Sequence, residues 1–60
     1  MYTILICDDE KDIRNALRIY LTTEQYRVLE AENGEEALAI LSRETVHLIL
    51  MDIMMPLMDG

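Results

Sequence analysis

The chain has 60 residues, of which 52% are apolar and 28% charged, with two glycines and one proline; this composition excludes disordered, collagenous and low-complexity proteins and indicates a small packed core. The net charge is −7 and the five basic residues are scattered singly, so we expect no direct nucleic-acid contact by this segment. No stretch reaches the ~20 apolar residues of a membrane span and no basic region followed by an apolar stretch opens the chain, so we expect a cytoplasmic protein with no membrane partner.

The first predicted element is a strand over Thr3–Cys7, "TILIC". Its residues are apolar at consecutive positions and include the β-branched Thr3, Ile4 and Ile6, which favours a strand covered on both faces, as in a parallel sheet. Cys7 ends this run. Because it is the only cysteine of the sequence, it excludes an intrachain disulfide and a cysteine-rich zinc site, and we interpret it as a buried thiol in a reducing compartment.

A helix is predicted next, because apolar residues recur at spacings of three and four. The predicted apolar stripe consists of Ile13, Ala16, Leu17, Tyr20 and Leu21. The opposite, polar side is predicted to carry Arg14, Asn15 and Arg18. Asp9 is the predicted N-cap, and Glu10 and Asp12 are predicted in the first turn, where carboxylates interact favourably with the helix dipole.

A second strand and a second helix follow. The alternating segment Arg27–Ala31, "RVLEA", predicts a strand near the edge of the sheet. Asn33 and Glu36 have the spacing of a capping box, and the Asn33-Gly34 pair is a turn signal. The apolar face predicted for this second helix consists of Ala37, Leu38 and Leu41.

The last predicted strand is the apolar run Val46–Asp52, "VHLILMD", which is followed by a loop with Pro56 and Gly60 as breakers. His47 lies at the start of this strand, and we interpret it as a structural residue. The resulting order is β-α-β-α-β with short connections. This order predicts an α/β fold with parallel strands and right-handed helical crossovers.

Acidic residues stand directly after two of the predicted strands: Asp8 and Asp9 follow the first, and Asp52 ends the third. The carboxyl ends of parallel strands meet at one edge of a sheet, so the three carboxylates converge if those strands are neighbours. Carboxylates at ~4 Å near a protein surface repel by about 4 kcal/mol, which a cation would offset. Three carboxylates without His or Cys suit Mg²⁺ or Mn²⁺, and magnesium commonly shares its shell with phosphate oxygens, so we expect a phosphoryl ligand.

The chain resembles the receiver domain of bacterial two-component response regulators in three segments that occur in the same order: the strand ending in Asp8-Asp9-Glu10, then "NGEEAL", then "LILMDIMMPLMDG". The resemblance covers essentially the whole chain, and we expect residues 1–60 to be the N-terminal half of such a domain. It implies a flavodoxin-like (CheY-like) fold in which Asp52 takes a phosphoryl group from a sensor histidine kinase. It also implies a signalling domain rather than an enzyme, with phosphotransfer onto itself only.

The same resemblance implies a Mg²⁺ site. Asp9 and Asp52 would ligate the ion directly, Asp8 would act largely through water, and the backbone carbonyl of Met54 would supply another oxygen. The "DIMMP" form with its "MDG" ending resembles regulators that carry a DNA-binding output domain. A transcriptional output is therefore expected.

The chain departs from the family pattern where it stops, at Gly60. The flavodoxin-like strand order is 2-1-3-4-5, and strands four and five are missing, together with the Ser or Thr and the Lys that the family places at their ends. The third strand would then form an open apolar edge, which is a template for another chain. We therefore expect self-association through the third strand, unless the domain continues beyond Gly60.

Other functions stay open at this point. One is a phosphorylation-independent dimerisation module of receiver fold. Another is a magnesium-dependent aspartyl-phosphate phosphatase of the haloacid dehalogenase type, although that motif needs Asp-x-Asp and Asp8 is followed by Asp9. The segment "DDEKD" also resembles the Asp-Asp-x-x-Asp magnesium motif of terpenoid synthases, but that family is all-helical and longer, whereas here the motif follows a β-branched strand.

Overall fold

The computed structural model describes residues 1–51 of the chain. In that part, the elements in chain order are β1 (Thr3–Cys7), α1 (Lys11–Thr23), β2 (Arg27–Ala31), α2 (Gly34–Arg43) and β3 (Leu48–Met51). The predicted bounds of the first two strands are confirmed residue for residue. The third strand begins two residues later than predicted, and Asp52, its predicted last residue, lies outside the described residues.

The strands form one parallel sheet in the order β2-β1-β3. The central strand is β1, whose residue Cys7 pairs with Ala31 of β2 on one side and with Met51 of β3 on the other. From β1 the chain passes to β2 and then crosses back over β1 to reach β3. The predicted parallel α/β arrangement and the edge position of the second strand are confirmed, and strand order reverses at β1.

Both faces of β1 are covered, because successive side chains of a strand point to opposite sides of the sheet. On one face, α1 completes a core made of Ile4, Ile6 and Leu21, with Leu17, Val28 and Leu50 packed against it. On the other face, α2 completes a core made of Leu5, Cys7, Ala31, Ala37 and Ile40. All five residues of β1 are buried, which confirms the prediction of a doubly covered strand.

The inward face of α1 differs from the predicted one. Leu17 and Leu21 pack on the sheet as predicted. The predicted stripe residues Ile13, Ala16 and Tyr20 are exposed instead. The predicted polar residue Arg14 has a side chain that is only 11% exposed. The helix is turned toward Arg14, because its long apolar stem can lie against the sheet while its guanidinium finds polar partners there.

The two helix N-termini have different outcomes. The prediction of Asp9 as the cap of α1 is wrong: the N-cap is Glu10, which makes no side-chain capping bond. For α2 the cap is Asn33, as predicted, and its side chain accepts a hydrogen bond from the Glu36 N–H at 2.9 Å. The Glu36 carboxylate reaches back to the N–H of Glu32 at 2.8 Å. The reciprocal bond of the capping box is therefore displaced by one residue.

The end of α1 has a Schellman-type arrangement. The N–H of Tyr26 donates to the Leu21 carbonyl at 3.1 Å, and the N–H of Gln25 donates to the Thr22 carbonyl at 2.9 Å. Gln25 occupies the left-handed region with φ of 72°, a conformation that glycine adopts at lower cost. This turn directs the chain into β2.

His47 has the structural role expected of it. Its Nδ1 accepts a hydrogen bond from the Thr3 N–H at 2.9 Å, and its own backbone N–H donates to the Thr3 carbonyl, also at 2.9 Å. The imidazole stacks on Tyr2 at a centroid distance of 4.7 Å. These contacts join the starts of β1 and β3 at the edge of the sheet opposite the aspartates.

Several apolar side chains lie at the surface of the described part of the chain. Leu38 and Leu41, which were predicted to face the core, are exposed, and Ile40 occupies the inward position instead. On β3, the residues Leu48, Ile49 and Met51 are exposed. Neither described helix is long and apolar enough to cross a membrane.

Candidate phosphoacceptor edge

Asp8 and Asp9 lie at the carboxyl end of β1, beside the point where strand order reverses, which is where parallel α/β sheets bind ligands. Asp8 is buried, with 6% of its surface exposed, whereas Asp9 is exposed. The two neighbouring acids therefore sit in different environments. One is held inside the loop that follows β1, and the other faces solvent.

Three hydrogen bonds hold Asp8. Its N–H donates to the Ala31 carbonyl at the end of β2, at 3.1 Å. Its carboxylate Oδ1 accepts from the N–H of Glu10 at 2.8 Å, and its carbonyl oxygen accepts from Arg14 Nη1 at 2.7 Å. Hydrogen bonds therefore fix both the backbone and the side chain of Asp8, and they define the conformation of the chain where the loop between β1 and α1 begins.

The arginine that reaches Asp8 belongs to a charge network between α1 and β2. Arg14 Nε lies 3.3 Å from Glu30 Oε1, and Arg18 Nε lies 3.3 Å from Glu30 Oε2. Sequence reasoning missed Arg14 because it was assigned to the polar side of the helix. The available signal was a glutamate in the interior of β2 and two arginines four residues apart on the preceding helix.

The pairing of β1 with β3 bears directly on the predicted site. In the register of this pair, Cys7 lies opposite Met51. Asp8 and Asp52 are the next residues of the two segments in the sequence. Strand adjacency, on which the predicted convergence of the three aspartates depends, is confirmed. Asp52 and Met54, together with Pro56 and Gly60, lie outside the described residues.

The donor chemistry at this edge fits a hard cation. Asp8 and Asp9 offer carboxylate oxygens, the ligand type that Mg²⁺ and Mn²⁺ prefer. Within residues 1–51 there is no group of three or more His, Cys, Asp or Glu side chains placed to hold a metal ion; the third predicted acid, Asp52, is beyond that range.

Cys7, which directly precedes Asp8, does not add a soft ligand. Its Sγ contacts the Asn33 carbonyl oxygen at 3.5 Å on the α2 side of the sheet. Burial raises the pKa of the Cys7 thiol, and the charges of Asp8 and Glu36 raise it further. The thiol therefore stays protonated near neutral pH, as expected of a structural cysteine.

Residues 4–60 match the family model described as response regulator receiver domain. The chain belongs to the response regulator receiver family. It is 53% identical over 57 residues to the transcriptional regulatory protein ResD of Bacillus subtilis (strain 168), covering 95% of this chain and 24% of that protein. It is 47% identical over 58 residues to the response regulator GtcR of Aneurinibacillus migulanus, covering 97% of this chain and 24% of that one. The receiver chain thus spans about a quarter of the length of these curated relatives.

A solved structure extends this to the fold. The receiver chain matches the crystal structure of the P1 domain of CheA3 in complex with CheY6 from R. sphaeroides, with a TM-score of 0.87 and 39% identity. The match covers 98% of this chain and 48% of that one. The expected CheY-like fold is confirmed.

Proposed function

We propose that residues 1–60 are the N-terminal half of a receiver domain in which Asp52 accepts a phosphoryl group from a sensor histidine kinase. The observation that carries the proposal is the parallel register between β1 and β3. Cys7 lies opposite Met51, and the residue that follows each of them in the sequence is an aspartate. Continuing the register by one step would therefore set Asp8 beside Asp52.

The proposed step is a phosphoryl transfer onto the chain itself. An oxygen of the Asp52 carboxylate forms a bond to phosphorus while the phosphorus–nitrogen bond of a phosphohistidine breaks. The imidazole nitrogen keeps the electron pair of that bond and takes up a proton. A carboxylate is a weak nucleophile, and such transfers depend mainly on positioning and charge neutralisation. The rigidly held Asp8 would contribute the positioning.

The proposed cation is Mg²⁺ or Mn²⁺. Asp9 and Asp52 would hold it directly, Asp8 largely through water, and Met54 through its backbone carbonyl. When bound, the ion supplies positive charge that offsets the repulsion between the carboxylates and the incoming phosphoryl oxygens. The carboxylate donors of Asp8 and Asp9 at the switch point support this assignment.

The partners follow from the relatives. The solved neighbour is a complex of the P1 domain of CheA3 with CheY6, which supports a histidine kinase as phosphoryl donor. ResD is named a transcriptional regulatory protein, which supports a transcriptional output in a two-component system. A buried, reduced Cys7 without a second cysteine in the sequence fits the cytoplasm.

The test is the intact mass of the chain after incubation with acetyl phosphate and Mg²⁺. The expected result is the gain of one phosphoryl group, abolished by Asp52→Asn and by a chelator. Asp12→Asn is the matched control, because Asp12 is an exposed acid in the first turn of α1 and its loss should leave labelling unchanged. If Asp52→Asn is labelled as fully as the unchanged chain, Asp52 is not the acceptor.

Self-association is a second proposal, specific to the sixty-residue polypeptide. In the described residues β3 pairs with β1 along one edge, and no described strand lies on its other edge. The backbone N–H and C=O groups of such an edge can pair with the same strand of a second copy, and the exposed Leu48, Ile49 and Met51 would add apolar contact. Sedimentation at micromolar concentration should give a dimer, which Leu48→Lys disrupts and Ile19→Lys, at an exposed position of α1, leaves intact. A monomeric mass would overturn this proposal.

The labelling and sedimentation experiments together distinguish a phosphoacceptor from a phosphorylation-independent dimerisation module. A phosphoacceptor should lose labelling with Asp52→Asn and keep its association state. If the chain is instead a phosphorylation-independent dimerisation module, the unchanged chain would dimerise fully but gain no phosphoryl group with acetyl phosphate and Mg²⁺.

A further inference from the structure

The hydrogen bond from Arg14 reaches a particular peptide unit. The Asp8 carbonyl oxygen, which accepts from Arg14 Nη1 at 2.7 Å, belongs to the peptide that joins Asp8 to Asp9. Since a peptide unit is planar, holding its oxygen limits rotation of the unit. The directions in which both aspartate side chains leave the backbone depend on that orientation.

Arg14 is paired with Glu30, a carboxylate that it shares with Arg18. One carboxylate oxygen of Glu30 lies 3.3 Å from Arg14 Nε, and the other lies 3.3 Å from Arg18 Nε. The Arg14 side chain is 11% exposed, so it has little freedom to leave this arrangement. Glu30 thereby holds the guanidinium on the β2 side through Nε, while Nη1 donates to the neutral Asp8 carbonyl rather than to the Asp8 or Asp9 carboxylate.

We propose that Arg14 is a positioning residue for the cation site: it orients the Asp8–Asp9 peptide through the Asp8 carbonyl, and Glu30 prevents it from neutralising the two carboxylates. The proposal rests on the proposed cation site. Arg14 would thus influence the affinity for the cation, although its guanidinium cannot ligate a cation. An arginine suits the role, because its planar fork can donate in two fixed directions at once.

Positioning and simple electrostatics predict opposite signs for the loss of Arg14. If Arg14 acted only as a nearby positive charge, Arg14→Gln would strengthen cation binding, because it removes repulsion. If Arg14 orients the ligand-bearing peptide, the same change weakens binding by about tenfold, the lower end of the effect seen for groups that hold metal ligands in place.

Arg18→Gln is the matched control. It removes an equal charge from the same helix and the same Glu30 partner, but the Arg18 contacts are to Glu30 and Asn15 rather than to Asp8. We expect the Mn²⁺ affinity of this variant to be unchanged or about twofold higher. Arg14→Lys keeps the charge but provides one point donor instead of a fork, and should weaken binding by about threefold.

The experiment is a titration of the chain with Mn²⁺, followed by the electron paramagnetic resonance signal of the free ion. Circular dichroism verifies that each variant is folded, and the ¹³C shift of the Asp8 carbonyl, recorded without metal, reports the Arg14 hydrogen bond directly. The expected result is weaker Mn²⁺ binding for both Arg14 variants, no weakening for Arg18→Gln, and a shift of the Asp8 carbonyl resonance in the Arg14 variants only.

The outcomes separate the two proposals. If the unchanged chain binds no Mn²⁺, the proposed cation site fails and this inference fails with it. If the unchanged chain binds Mn²⁺ and the Arg14 variants bind it as tightly as Arg18→Gln, the cation site stands and the positioning role is overturned. Should Arg14→Gln fail to fold, Arg14→Lys decides by the same comparison.

Discussion

The orientation of α2 can be tested with substitutions at two nearby positions that face different ways. Sequence periodicity predicted Leu38 on the buried face, whereas the structure places Ile40 there, 9% exposed, and leaves Leu38 57% exposed. Ile40→Ala and Leu38→Ala each remove three carbons from the same helix. Sequence periodicity therefore predicts the larger loss of stability for Leu38→Ala, whereas the structure predicts the larger loss for Ile40→Ala.

The magnitude follows from burial. At about 0.8 kcal/mol for each buried methylene-sized group, the three carbons of Ile40 contribute about 2 kcal/mol, and the cavity left beneath β1 adds roughly 0.5–1. For Leu38 less than half of that area is covered, so the transfer loss is about 1 kcal/mol. The higher helix propensity of alanine offsets part of the loss in both variants. We expect a difference of about 1.5–2 kcal/mol between the variants.

Urea unfolding followed by circular dichroism measures this difference. A chain of this length is expected to have a total stability of about 3–9 kcal/mol, so Ile40→Ala should lower the midpoint strongly and the melting temperature by roughly 10 °C or more. Leu38→Ala should stay close to the unchanged chain. If Leu38→Ala costs as much as Ile40→Ala, Ile40 is not the residue through which α2 packs on the sheet.

Three further expectations concern single contacts. The pKa of Cys7 is raised in the folded chain, so the thiol of the unfolded chain loses its proton first. The free energy of unfolding should therefore be unaffected by this thiol below its ordinary pKa of 9.0 and should fall as pH rises above that value. Urea titrations across this pH range should show a smaller fall for Cys7→Ala. Asn33→Ala should cost about 1 kcal/mol through loss of the cap of α2, whereas Asn33→Asp should retain most of it; equal losses would contradict the capping role. Gln25→Gly should raise the melting temperature by a few degrees, since it relieves a left-handed conformation worth about 1 kcal/mol, and a lower melting temperature would count against that strain.

Features that depend on a few neighbouring residues were predicted well. The bounds of β1 and β2 follow from runs of apolar and β-branched residues, and the Asn33 cap follows from a contact within one helical turn. The position of Asp8 and Asp9 at a strand end is equally local. The resemblance to receiver domains rests on such segments in order, and the family match over residues 4–60 agrees with it.

The sequence by itself determined the order of elements, the parallel sheet and the placement of Asp8 and Asp9 at its carboxyl edge, because strand periodicity, caps and turns are set by local chemistry. Only the tertiary structure decided which face of each helix meets the sheet. Arg14 turns inward because Glu30 and the Asp8 carbonyl, distant from each other in sequence, together satisfy its guanidinium. Hydrophobic spacing alone cannot reveal such a partner, because a charged side chain is buried only where the folded chain brings its counter-charge and acceptors together.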